Sequence, residues 1–152
     1  MLVGLGYNMD VRKATEKEVE KILALSPEAI YEGTLGEVKP TIEKAKQLVE
    51  PLLQKGSYYL IATENDELTG WVLIGGSKDS FTGEKIGFIY ELFVLEEYRG
   101  KGIGKQLIQT GIKHLQQEGY SEIRLSVFDG NPAIKLYESL GFKNRTITMS
   151  LS

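Results

Sequence analysis

The chain has 152 residues and a net charge of −3, with a pI near 5.3, enough for one domain with a sizeable core. It has no cysteine and a single histidine, His114, which excludes a disulfide framework, a thiol nucleophile and thiolate or His-rich metal sites. The acidic balance disfavours a nucleic-acid partner, and the absence of a basic leader or of a run of about 18 apolar residues leads us to expect a cytoplasmic protein with no membrane contact.

Asp10 to Thr15 (DVRKAT) reads as a short strand. Thr15 and Glu18 form a capping box that opens a helix through about Leu25, because each side chain can satisfy the other's free backbone donor. Ser26-Pro27 then suggests a cap and restart, with a second helix to Gly33. Lys44, Ala45, Leu48, Val49, Leu52 and Leu53 give a helical period after Thr41, which Pro51 is expected to kink or end. YYLIAT, NDEL and TGWVLIGG read as an antiparallel hairpin turning between Glu64 and Thr69 and closed by Gly75-Gly76. IGFIYELFVL is the next strand, and YRGKGIG leads into a helix with apolar Ile103, Leu107, Ile108, Ile112 and Leu115. SEIRLSVFD is a strand, Asn131 caps a helix that has Pro132 at its first position and ends at Gly141, and KNRTITMSL is a last strand. Antiparallel strands followed by a β-α-β unit predict an α+β, mixed α/β, architecture in one domain over 1–152.

The stretch YRGKGIGKQL from Tyr98 puts three glycines and three cations at a helix start. A P-loop anchored on Gly104-Lys105 would need glycine at Arg99 and Ser or Thr at Gln106, so both ends fail. The dinucleotide fingerprint has Gly100 and Gly102 but would need glycine at Lys105, and the hairpin before it is the wrong context, so a dinucleotide-binding protein stays open only as an alternative. Free amide N–H groups at the positive end of a helix, stripped of side chains, can instead all point at one pyrophosphate.

These residues resemble the loop of the GNAT family of acyl-CoA-dependent N-acyltransferases, which has the form Gln/Arg-x-x-Gly-x-Gly/Ala and is matched by Arg99, Gly102 and Gly104. A later block is also similar to the family: NPAIKLYESLGF, with Asn131, Tyr137, Gly141 and Phe142. The resemblance covers about Ser57 to Phe142; the N-terminal helices match in type only, and Met1 to Asn8 read as an extension.

The resemblance implies a central, mostly antiparallel, splayed sheet flanked by helices, and transfer of an acetyl group from acetyl-CoA to an amine without a metal. It implies that the backbone of Leu92, Phe93 and Val94 pairs with pantetheine, the Val94 amide polarising the thioester, and that Arg99, Gly100, Lys101, Gly102, Ile103, Gly104 and Lys105 hold the pyrophosphate. Asn131 would cap its helix and touch the pantetheine, and Tyr137 would bind the cofactor and protonate the leaving thiolate. Glu91, the only acid in IGFIYELFVL, is the candidate base, with Asp129, Glu28 and Glu32 as alternatives and a reaction without a dedicated base also open. The acceptor would be the amine of a small molecule or of a peptide or protein, and a homodimer is left open. A non-catalytic acyl-CoA-binding or sensing domain on the same fold is the rival reading.

Overall fold

The computed structural model describes residues 9–152, so the extension proposed for Met1 to Asn8 lies outside the described residues. Five strands form one sheet in the order β1-β2-β3-β4-β5: β1 Met9–Lys13, β2 Tyr58–Glu64, β3 Glu67–Lys78, β4 Lys85–Val94 and β5 Ile123–Leu125. The first four pair antiparallel, and β5 pairs parallel to β4. The helices are α1 Glu16–Gly33, α2 Ile42–Gln54, α3 Ile103–Gln117 and α4 Ala133–Ser139.

Alternation along the strands divides the core into two layers. Tyr59, Ile61, Trp71 and Leu73 pack with Ile22, Leu23 and Ala29 of α1 and Val49 of α2. Leu60, Ala62, Val72, Ile74 and Ile89 pack with Ile103, Leu107, Ile108 and Leu115 of α3 and Tyr137 of α4. The β2–β3 hairpin turns on Asn65 (φ 52°) and Asp66 (φ 67°), the paired positive φ of the turn whose twist matches its flanking strands.

Four expectations are corrected. The helix does not restart at Ser26-Pro27: α1 runs unbroken from Glu16 to Gly33 with Pro27 inside. A proline in a helix interior costs about 3 kcal/mol, and burial of Ile22 and Leu23 before it and Ala29 after it on the sheet offsets that cost. Pro51 likewise does not end α2, which continues to Gln54. Gly75 and Gly76 do not close β3, which extends to Lys78; a Cβ on Gly75 would lie 2.8 Å from Ser57 Cα, so glycine there answers a close approach of neighbouring backbone. The last strand, KNRTITMSL, is not formed: residues 143–152 carry no helix or strand, with Ile147, Met149 and Leu151 exposed.

Candidate active site

β4 departs from strict alternation at one place. Leu73 faces Glu91 and Ile74 faces Ile89, so Tyr90 is an extra residue in β4, a β-bulge that bends the strand. On its other side β4 pairs with β5 only through Gly87, Phe88 and Ile89. Beyond Ile89 the two strands part, and among the described residues the edge of β4 from Tyr90 to Val94 has no strand partner there. A cavity of about 200 Å³ occupies the gap, lined among others by Thr34 just after α1, Glu91 and Leu92 from β4, Phe128 after β5, Asn131, and Tyr137 from α4.

The glycine loop stands at the end of this open edge. After a 3-10 turn over Glu96–Tyr98, Gly100 and Gly102 both take φ +80°, the left-handed region that glycine enters without a steric cost. Gly102 is the N-cap of α3 and has no capping side chain, so the first N–H groups of α3 carry no cap from the chain. A Cβ at Gly100 or Gly102 would meet nothing within 4 Å. Bare N–H groups at a helix start with open space above them fit a pyrophosphate.

The three cations of the loop are engaged to different degrees. Arg99 Nε donates to the Val94 carbonyl at 2.8 Å, and its guanidinium pairs with Glu32 at 2.9 Å while Phe93 lies below it. Lys101 pairs with Glu64 at 3.3 Å, over the Tyr98 ring. Lys105 has no ion pair among the described residues. Of the loop's three cations, Lys105 alone is left without an ion pair among the described residues, beside the uncapped N–H groups of α3.

Tyr137 and Glu91 meet on the same cavity from opposite layers. Tyr137 is 9% exposed, edge-on to Phe142 with ring centroids 6.1 Å apart. Its hydroxyl has no hydrogen-bond partner among the described residues, and burial pushes its pKa up, so it is a protonated donor at neutral pH. Asn131 Oδ1 accepts from the N–H of Ala133, the first residue of α4, at 2.9 Å; the N-cap itself is Pro132 and not Asn131 as expected, and Pro132 precedes the first helical residue instead of being that residue.

Glu91 Oε1 accepts from the Trp71 indole N–H at 2.6 Å, and Oε2 has no partner among the described residues. Burial raises its pKa above the usual 4.5, the Trp71 hydrogen bond acting in the opposite sense. The alternative bases are placed less well. Glu28 pairs with Lys39 and Glu32 with Arg99, and Asp129 is exposed outside the cavity lining.

Sequence reasoning missed Trp71, whose strand pattern hides a polar task; a buried indole N–H always asks for an acceptor. It named Glu28 and Glu32 in the N-terminal helices, but not Ala29, Ile30 and Gly33 of α1 and the C-cap Thr34, which wall the cavity.

The model of the acetyltransferase (GNAT) family matches residues 20–142, and the chain belongs to that family. It is 29% identical over 147 residues to an uncharacterized N-acetyltransferase, YdgE, of Bacillus subtilis, covering 89% of this chain and 92% of the relative. It is 33% identical over 104 residues, 67% of the chain, to a mycothiol acetyltransferase of Segniliparus rotundus, of whose length it spans only 39%. An aminoglycoside N-acetyltransferase solved in complex with CoA superposes with a TM-score of 0.76 at 22% identity, covering 99% of this chain and 98% of that one, a likeness of fold. The expected GNAT fold with a mostly antiparallel sheet therefore holds. No helix among the described residues is long and apolar enough to cross a membrane.

Proposed function

We propose that this chain transfers the acetyl group of acetyl-CoA to an amine in the gap between β4 and β5. The observation that supports this most is the convergence of Tyr137 and Glu91 on one cavity beside the glycine loop. The amides of α3's first turn and the Gly100–Gly104 backbone hold the pyrophosphate, and the free edge of β4 at Leu92 to Val94 accepts the pantetheine as an added strand. The Val94 amide polarises the thioester carbonyl.

Glu91 Oε2 takes a proton from the entering ammonium, directly or through a water molecule. The freed lone pair forms the C–N bond to the thioester carbon, the C–S bond breaks, and the Tyr137 hydroxyl gives its proton to the departing sulfur; the Tyr137 phenolate regains a proton from the new amide nitrogen, and the proton on Glu91 leaves to solvent. The acceptor is a small-molecule amine or the amine of a peptide or protein.

Thiol release from acetyl-CoA against a panel of amines tests the proposal. A sensing domain on the same fold would bind acetyl-CoA and release no thiol with any of them. Acetyl-CoA at 100 times its dissociation constant is expected to stabilise the fold by about 2.7 kcal/mol. A melting shift with NAD and none with acetyl-CoA would overturn the reading.

A further inference from the structure

Strict alternation would turn Glu91 to the α3 face, on the side of Ile89; the extra residue Tyr90 brings it to the α1 face instead. There it meets Trp71 of β3, which is fully buried and tilted against Phe93 with ring centroids 5.0 Å apart. The indole has one polar atom, and its N–H points at Glu91 Oε1. A ring locked by packing thus holds a carboxyl by one oxygen and leaves the other without a partner among the described residues.

We propose that Trp71 is a positioning residue for acetyl transfer: its indole N–H fixes the Glu91 carboxyl through Oε1 so that Oε2 is presented to the acceptor amine. The proposal rests on the reading of Glu91 as proton acceptor.

Few other groups compete for this carboxyl. The titratable groups around it are Tyr90 on β4 itself, Tyr137 on α4 across the cavity, and Tyr59 on β2, whose buried hydroxyl lies near Ser26 and makes no geometrically formed hydrogen bond among the described residues. On α1, Glu28 and Glu32 are engaged by Lys39 and Arg99. No cation among the described residues pairs with Glu91, so the indole N–H is its one strong donor. Deleting that donor removes a stabilisation of the ionised form, leaving burial to raise the proton affinity further.

Trp71 is the only tryptophan in the chain, so intrinsic emission reads the contact without a label or a substrate. The free protein's emission is expected to titrate between about pH 4 and 9 with a midpoint above the usual 4.5 of a glutamate, and Glu91→Gln should abolish the transition. Emission that is flat over this range, or that titrates equally in Glu91→Gln, overturns the proposal.

Trp71→Phe keeps a ring in the core and deletes the N–H. With a turned-over amine, the acidic limb of kcat should move to higher pH, and KM for acetyl-CoA should stay within about twofold, since Trp71 does not touch the pyrophosphate loop. An unmoved acidic limb in a folded Trp71→Phe protein reduces Trp71 to packing. If the parent protein acetylates no amine, the proposed function fails and takes the catalytic part of this proposal with it, while the emission titration still decides the Trp71–Glu91 contact.

Discussion

Arg99 ties β4 to the end of α1: its guanidinium grips both oxygens of Glu32, at 2.9 and 3.0 Å, while its Nε donates to the Val94 carbonyl at 2.8 Å. The arginine of the family's loop pattern thus acts here as a strut between β4 and α1 beside the glycine loop. With side chains 42% and 38% exposed, the ion pair itself contributes at most about 1 kcal/mol to stability. Arg99→Ala should leave the unfolding midpoint in urea nearly unchanged and weaken acetyl-CoA binding about tenfold or more, the scale of one charged hydrogen bond lost from the loop's support. Unaltered affinity by calorimetry in the folded variant would refute the strut.

Gly102 and Gly104 separate the needs of backbone from those of ligand. At Gly102, φ +80° makes any side chain strained, so Gly102→Val should lose about 1–2 kcal/mol of stability as well as acetyl-CoA binding. At Gly104 a Cβ would rest 3.7 to 3.9 Å from Val94, Leu92 and Leu136, ordinary contacts inside a helix. Gly104→Ala should therefore gain about 0.5–1 kcal/mol and keep its affinity, as the alanine allowed by the family pattern implies. Urea titrations with and without acetyl-CoA measure both terms; equal behaviour of the two variants would contradict the assignment.

Tyr137→Phe removes a hydroxyl that has no partner among the described residues and keeps the ring against Phe142. Stability and acetyl-CoA affinity should hardly change, while kcat falls about 10²-fold or more, the contribution of a positioned acid. Donors whose thiols leave readily as anions should narrow the deficit. Full turnover with acetyl-CoA under conditions where chemistry limits the rate would make Tyr137 a packing residue.

Glu18 supplies a stability test independent of activity. Arg12 and the Thr15 N–H hold its carboxyl down to about 2 from the usual 4.5. Because the folded value is the lower one, the contribution is complete above about 4.5 and is lost as pH falls toward 2. Glu18→Gln should cost about 1 kcal/mol at neutral pH, the worth of one cap contact and a partly exposed ion pair. The difference from the parent should vanish near pH 2 in paired urea titrations; a gap that persists there would point to packing.

The parts of the fold legible in the sequence are those written in local period or turn chemistry. The hairpin at Asn65-Asp66 and the glycine loop before α3 need particular backbone angles, and their residues declare them. Pro27 and Pro51 misled because tertiary burial outweighs a local break in helices packed on a sheet. Residues 143–151 alternate as a strand should, but a strand also needs a partner edge, and alternation cannot supply one. At the site, Tyr137, Asn131 and Glu91 were found by motif and charge. Their convergence depends on the bulge at Tyr90, one extra residue that leaves no mark in the amino-acid pattern and yet decides which face Glu91 and Trp71 share.

β5 is joined to the rest of the sheet by three register pairs, Gly87 with Ile123, Phe88 with Arg124 and Ile89 with Leu125. Asp79 adds a clasp from the β3–β4 loop, pairing with Arg124 at 2.8 Å and Arg145 at 3.1 Å. So short a seam makes β5 and α4 the natural unit of sub-global opening, exchanging their amide hydrogens well before β2 and β3 do. A ligand lying along the parted strands would bridge this unit to the main sheet, and its binding energy would appear as slowed exchange concentrated in β5 and α4.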